Sequence, residues 1–93
     1  HKNHIDRVTL TPGQSKSYSF STKEALRIGI LIDHEVTGGL VELRQVGAVG
    51  TLGTSVYWAS TQWPPINGKI ELTLTNNSKE KVTVTVFQGH EPK

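Results

Sequence analysis

Residues 69–87 read KIELTLTNNSKEKVTVTVF, and their apolar side chains fall at every second position. Ile70, Leu72 and Leu74 alternate with Lys69, Glu71, Thr73 and Thr75. After the polar stretch Asn76 to Glu80, Val82, Val84 and Val86 alternate with Lys81, Thr83 and Thr85. Successive side chains of a strand point to opposite faces, so this pattern describes two strands with one apolar face each. The five-residue polar turn between them predicts a hairpin.

The same period of two recurs along the chain. Val8 and Leu10 precede a Thr11-Pro12-Gly13-Gln14 turn, and serine occupies every odd position from Ser15 to Ser21, with Lys16, Tyr18 and Phe20 between. Leu26, Ile28, Ile30 and Ile32 form the most apolar alternation and predict a central core strand. Val41 and Leu43 follow Gly38-Gly39; Gly47 to Gly53 reads as a mobile loop, and Val56 with Trp58 as a short strand. No window sustains a 3.6-residue apolar period. Short strands with turn signals every eight to twelve residues predict an all-β chain, a β-sandwich of about seven antiparallel strands, with a small β-barrel as the alternative. The expected core is Val8, Tyr18, Phe20, Ile28, Ile30, Val41, Leu43, Val56, Ile70, Leu72, Leu74, Val82, Val84 and Val86.

Ninety-three residues suit one such unit, 1–93, with residues 1–4 expected as a disordered terminus. The chain lacks methionine and is expected to be a processed or excised form. It has no cysteine, which excludes disulfides, thiolate metal sites and a cysteine nucleophile. The strings YSF, LRIGILID, LVELRQV and NGKIELTLTNNSKEKVTVTV resemble, in their strand rhythm, accessory β-sandwiches of secreted proteins such as pre-peptidase C-terminal and fibronectin-like domains. That resemblance implies a secreted or surface-associated accessory unit.

Aromatic clustering marks the candidate site. Tyr57, Trp58 and Trp63 lie within seven residues, followed by Pro64, Pro65, Ile66 and Asn67. The prolines fix two φ angles and suggest that Trp63 is held at the surface, at one end of the sandwich. Tyr57 and Trp58 are adjacent and must point to opposite faces of a strand. Segment 57–66, with Tyr57, Gln62, Trp63 and Asn67 as contacts, is therefore the expected ligand-binding surface, for carbohydrate or a protein partner.

Other chemistry is poorly supplied. Asp33-His34-Glu35, with Glu42, is the densest set of possible metal ligands, and His1, His4 and Asp6 form a second; neither has the spacing of a calcium or zinc site, so no metal or cofactor is expected. The absence of a nucleophile elbow or a paired-carboxylate pattern argues against an enzyme. The ten basic residues are scattered and yield a formal charge of +2, without the clustered stripe of a nucleic-acid binder. That weak charge also argues against a membrane-active, toxin-like role using Trp63, Ile66 and the Gly47–Gly53 loop. A structural or assembly subunit, self-associating through the edges Ser15–Ser21 and Lys81–Phe87, is the other class of role. Asn76-Asn77-Ser78 is a possible glycan acceptor in an exposed turn.

Overall fold

The computed structural model describes residues 3–46, 51–54 and 57–92. Eight strands form: β1 (His4–Leu10), β2 (Ser15–Ser21), β3 (Leu26–Ile32), β4 (Val41–Gln45), β5 (Thr51–Thr54), β6 (Trp58–Trp63), β7 (Lys69–Asn76) and β8 (Val82–Gln88). They lie in two four-stranded antiparallel sheets, ordered β1-β8-β3-β6 and β2-β7-β4-β5. The pairs β1–β8, β2–β7, β3–β6 and β4–β5 are nested as in one long hairpin whose innermost pair is β4–β5. Two further pairings, β3–β8 and β4–β7, roll that hairpin into a sandwich. This is the jelly-roll arrangement.

The all-β sandwich expected from alternation is therefore present, with eight strands rather than about seven. The extra strand is β5, part of the Gly47–Gly53 stretch read as a loop; only Leu52 of its four residues is a sizeable apolar group, too little for a period to register. Residues 47–50 and Val56 lie outside the described residues. A larger departure concerns residues 69–87. β7 and β8 do not pair with each other but belong to opposite sheets. Both strands bury their apolar face, and the 77–81 connection carries the chain across the core, a gap of about 10 Å between packed sheets.

That crossing is organised by Asn76. Its Nδ2 donates to the carbonyls of Leu10 (3.1 Å) and Glu80 (2.8 Å), while its Oδ1 accepts from the Ser78 backbone N–H (3.0 Å) and hydroxyl. The side chain is wholly buried with both donors and its acceptor engaged. As the acceptor residue of the possible glycosylation triplet, Asn76 is inaccessible in the folded chain. The expected exposed turn is exposed at Asn77 and Lys79 but not at Asn76 and Ser78, which are buried.

Ile28, Ile30, Val41, Leu43, Ile70, Leu72, Leu74, Val82, Val84 and Val86 are all buried between the sheets, and Val8, Tyr18 and Phe20 pack partly buried against them. Leu10, Ile32, Val36 and Trp63 complete that cluster. At the open side, edge strands β1 and β2 are linked by Asp6, which accepts from Lys16 Nζ and the Tyr18 hydroxyl, each at 2.7 Å. The Lys16 and Tyr18 hydrogen bonds hold the Asp6 carboxyl below its ordinary range; burial, then the bond to Asp6, raises the Tyr18 phenol. Charges turned inward at edges, with the register irregularity between His4 and Asp6, discourage strand addition. Of the two expected assembly edges, Ser15–Ser21 is an edge, but Lys81–Phe87 falls, from Val82 onward, in β8, which is paired on both sides. Ordered structure also reaches into residues 1–4, expected to be disordered: β1 starts at His4, and Gln88 N donates to Asn3 O (2.8 Å).

Asn76→Ala should cost about 3 kcal/mol in urea unfolding, because it leaves buried carbonyls and Ser78 groups without partners. A loss under about 1 kcal/mol would mean that water reaches this turn.

Candidate functional site

The outer face of the β1-β8-β3-β6 sheet carries the exposed aromatics. Register places Arg7, Thr85, Leu31 and Trp58 in one row across all four strands. In the neighbouring row Phe87 faces Gly29, which faces Ser60. A Cβ on Gly29 would lie 2.3 Å from the Ala59 carbonyl oxygen and 2.7 Å from Phe87 Cζ, so only glycine leaves room for the Phe87 ring here. Trp58 meets that ring edge-on, with centroids 6.2 Å apart, and Ser60 Oγ donates to His90 O at 3.1 Å. Phe87 is thereby buried on an outer face, and Trp58 stays 43% exposed above it.

Beyond Leu31 the face dips into a depression of about 290 Å3, lined by Arg7, Leu31, Asp33, Tyr57, Thr83 and Thr85 among others. The Tyr57 backbone is tied to the sheet, its carbonyl accepting from Ile32 N at 2.6 Å, while the residue is 56% exposed. Thr83 Oγ1 and Thr9 Oγ1 share a 2.9 Å hydrogen bond on the same face.

The expected contact residues do not gather in one place. Tyr57 is at the surface as expected. Gln62 is exposed and has the same parity on β6 as Trp58, so it shares the outer face, four residues further along the strand. Trp63 is the correction: it is 1% exposed and packs in the core, and its Nε1 donates to Ile28 O at 3.0 Å. The prolines stiffen the chain after Trp63, but its direction is set by the pairing of β6 with β3, where it sits opposite Leu26. The buried Gln45 then ties the segment inward by donating to Pro64 O. Trp58 and Trp63 have opposite parity on β6, so one must be inside, and the one with a carbonyl for its indole N–H is Trp63. Asn67 lies past the other end of β6, about 17 Å of strand from Trp58. It has a positive φ of 54° before Gly68 at 77°, and Ile66 and Lys69 exchange backbone hydrogen bonds of 2.7 and 3.1 Å. This is the Asn-Gly hairpin turn, a signal present in the sequence and passed over.

The metal candidates are also separated. His34 Nδ1 lies 2.9 Å from Asp33 and Nε2 lies 2.8 Å from Glu80, and Glu80 also accepts from the Thr37 N–H and hydroxyl. Both nitrogens can donate only as imidazolium, so the bonds first to Glu80 and then to Asp33 raise the His34 pKa. The group is a strap between the 33–40 and 77–81 connections. Glu42 instead accepts from Asn77, and His4 pairs in β1 while His1 lies outside the described residues.

Comparison with family models and with curated proteins yields no match. Among solved structures, the chain is similar to a de novo designed double-stranded β-helix determined by solution NMR. The TM-score is 0.57 at 16% identity, covering 90% of this chain and 96% of that one. The likeness is one of fold.

Acrylamide should quench one tryptophan and spare the other, with Trp58→Phe removing the quenched emission. Trp63→Ala should cost about 3–5 kcal/mol, and Tyr57→Ala less than about 0.5 kcal/mol; a loss at Trp63 no larger than at Tyr57 would take Trp63 out of the core.

The strap predicts a pH window. Its histidine contribution is complete below 6.5, the ordinary value, and is lost as pH rises through the raised folded value. The Glu80 contribution, where His34 and then Thr37 lower the pKa, is present above 4.5 and lost as pH falls through the lowered value. The strap is therefore whole between these limits. In an NMR titration the His34 ring should have its midpoint above 6.5, and Glu80→Gln should bring it down; a midpoint at or below 6.5 in the parent chain would show that the strap does not form.

Proposed function

We propose that this chain is a non-catalytic recognition module of an extracellular or particle-surface protein, with the outer face of the β1-β8-β3-β6 sheet around Tyr57 and Trp58 as its contact surface. One observation carries the reading. Two large aromatic residues stay 56% and 43% exposed beside a depression of about 290 Å3. Large rings left in water on a rigid sheet represent unrealised burial, about 25 cal/mol for each Å2 of apolar surface that a partner would cover. The ring of Trp58 is held by its contact with Phe87, so little conformational freedom is lost when a ligand settles on it. The reading moves the anchor from Trp63, which is buried, to Tyr57 and Trp58, and leaves out Asn67, which serves a turn.

A test that assumes no ligand is a fragment library titrated against the 15N-labelled chain. Shifts should concentrate at Arg7, Leu31, Tyr57 and Thr85 and weaken in Tyr57→Ala. Fragments that gather instead on the depression at Val46, Ile66 and Lys69, at the far end of β6, would remove this surface from consideration.

A further inference from the structure

We infer that the depression beside Tyr57 takes one neutral sugar ring, its hydroxyls bridging Arg7 and Asp33 and its apolar face against Leu31 and Tyr57. The inference rests on the recognition reading above and names its ligand class.

Size supplies the first argument. About 290 Å3 is at the lower limit of small-molecule sites, which run from about 300 Å3 upward, so the depression suits a single ring rather than a chain. Charge supplies the second. Arg7 and Asp33 line the same hollow with opposite signs, and the field of Arg7 is one of the influences lowering the Asp33 carboxyl, after its bond to His34. A ligand of either net charge meets one like and one unlike charge there, so the pair gives it no net attraction to repay the water its charge gives up. A hydroxyl bears no charge, and it donates to a carboxylate and accepts from a guanidinium with the same oxygen. Lining chemistry supplies the third. Thr83 and Thr85 offer hydroxyls that can donate or accept, and Leu31 and Tyr57 offer the apolar surface that the C–H face of a pyranose covers. A wall that is apolar on one side and balanced in charge on the other matches a polyhydroxylated ring.

The experiment is a 15N NMR titration of the full chain with methyl β-glucopyranoside, methyl β-galactopyranoside and N-acetylglucosamine, with glucuronate and glucosamine as charged counterparts. At least one neutral glycoside should give saturable shifts at Leu31, Tyr57 and Thr85. Its charged counterpart should bind more weakly, because the repulsion and attraction of Asp33 and Arg7 offset each other and leave the lost hydration of its charge unrepaid. Asp33→Asn should improve glucuronate and Arg7→Gln should improve glucosamine by about fivefold each, the effect of one unit charge at about 4 Å in water. Tyr57→Ala should weaken the neutral ring by about tenfold. Thr37→Val, which removes a hydrogen bond of the strap to Glu80 but leaves His34 and Asp33 in place, should leave sugar affinity unchanged and separates loss of charge from loosening of the strap. A charged sugar that binds more tightly than the neutral ring overturns the inference. So does the absence of any sugar response where fragments still map to this face, and the recognition reading then survives alone. Absence of both responses removes both.

Discussion

The pairing of β8 between β1 and β3 is the constraint on which the molecule turns. Every one of the four nested pairs could exist in a flat hairpin with both faces wet. Only when β8 also pairs with β3, and β7 with β4, do the apolar faces close on each other. Val84 and Val86 then lie beside Ile32 and Ile30 within one sheet and share one core with Leu72 and Leu74 of the other. The buried Asn76 secures the point where the chain leaves one sheet for the other, with four hydrogen bonds from a single carboxamide.

The outer face inherits its chemistry from the same roll. Arg7, Leu31, Trp58 and Thr85 come from four strands scattered along the chain and stand in line only because β1, β8, β3 and β6 are neighbours. Gly29 adds the second condition. By having no side chain it leaves room for Phe87 outside the core, and Phe87 in turn supports Trp58. A hydrophobic residue of β8 is thereby spent on holding a surface aromatic in place.

These two facts explain what was legible in the sequence. Alternation reports which face of a strand is buried, and it was reliable in β3, β4, β7 and β8, where residues of one parity carry the core. It does not report which strand lies alongside, so the 69–87 stretch read as a hairpin when it is a crossing between sheets. In β6 the signal itself was ambiguous: tryptophans at positions of opposite parity, with Ala59, Ser60, Thr61 and Gln62 between, fit either register. The indole N–H and the Ile28 carbonyl break that tie, a long-range contact no local pattern contains. Of the candidate site, Tyr57 was visible as an aromatic beside others. Arg7, Leu31 and Thr85 looked like ordinary strand residues, and Asp33 like a metal-ligand candidate, because their meeting is a product of register.

The place where β1 begins and β8 ends has a mechanical consequence. Asn3 and Gln88 are joined by a backbone hydrogen bond, and His4 pairs with Phe87 at the same end of two adjacent antiparallel strands. Tension applied through Asn3 and Gly89 would pull these strands apart sideways, loading the hydrogen bonds between them one after another instead of all together. Peeling of this kind takes far less force than sliding two strands past each other. It would strip β1 first, expose Val8 and Leu10, and leave β8 still joined to β3. Pulled in this way, the domain would yield early, by unzipping, however stable it is in solution.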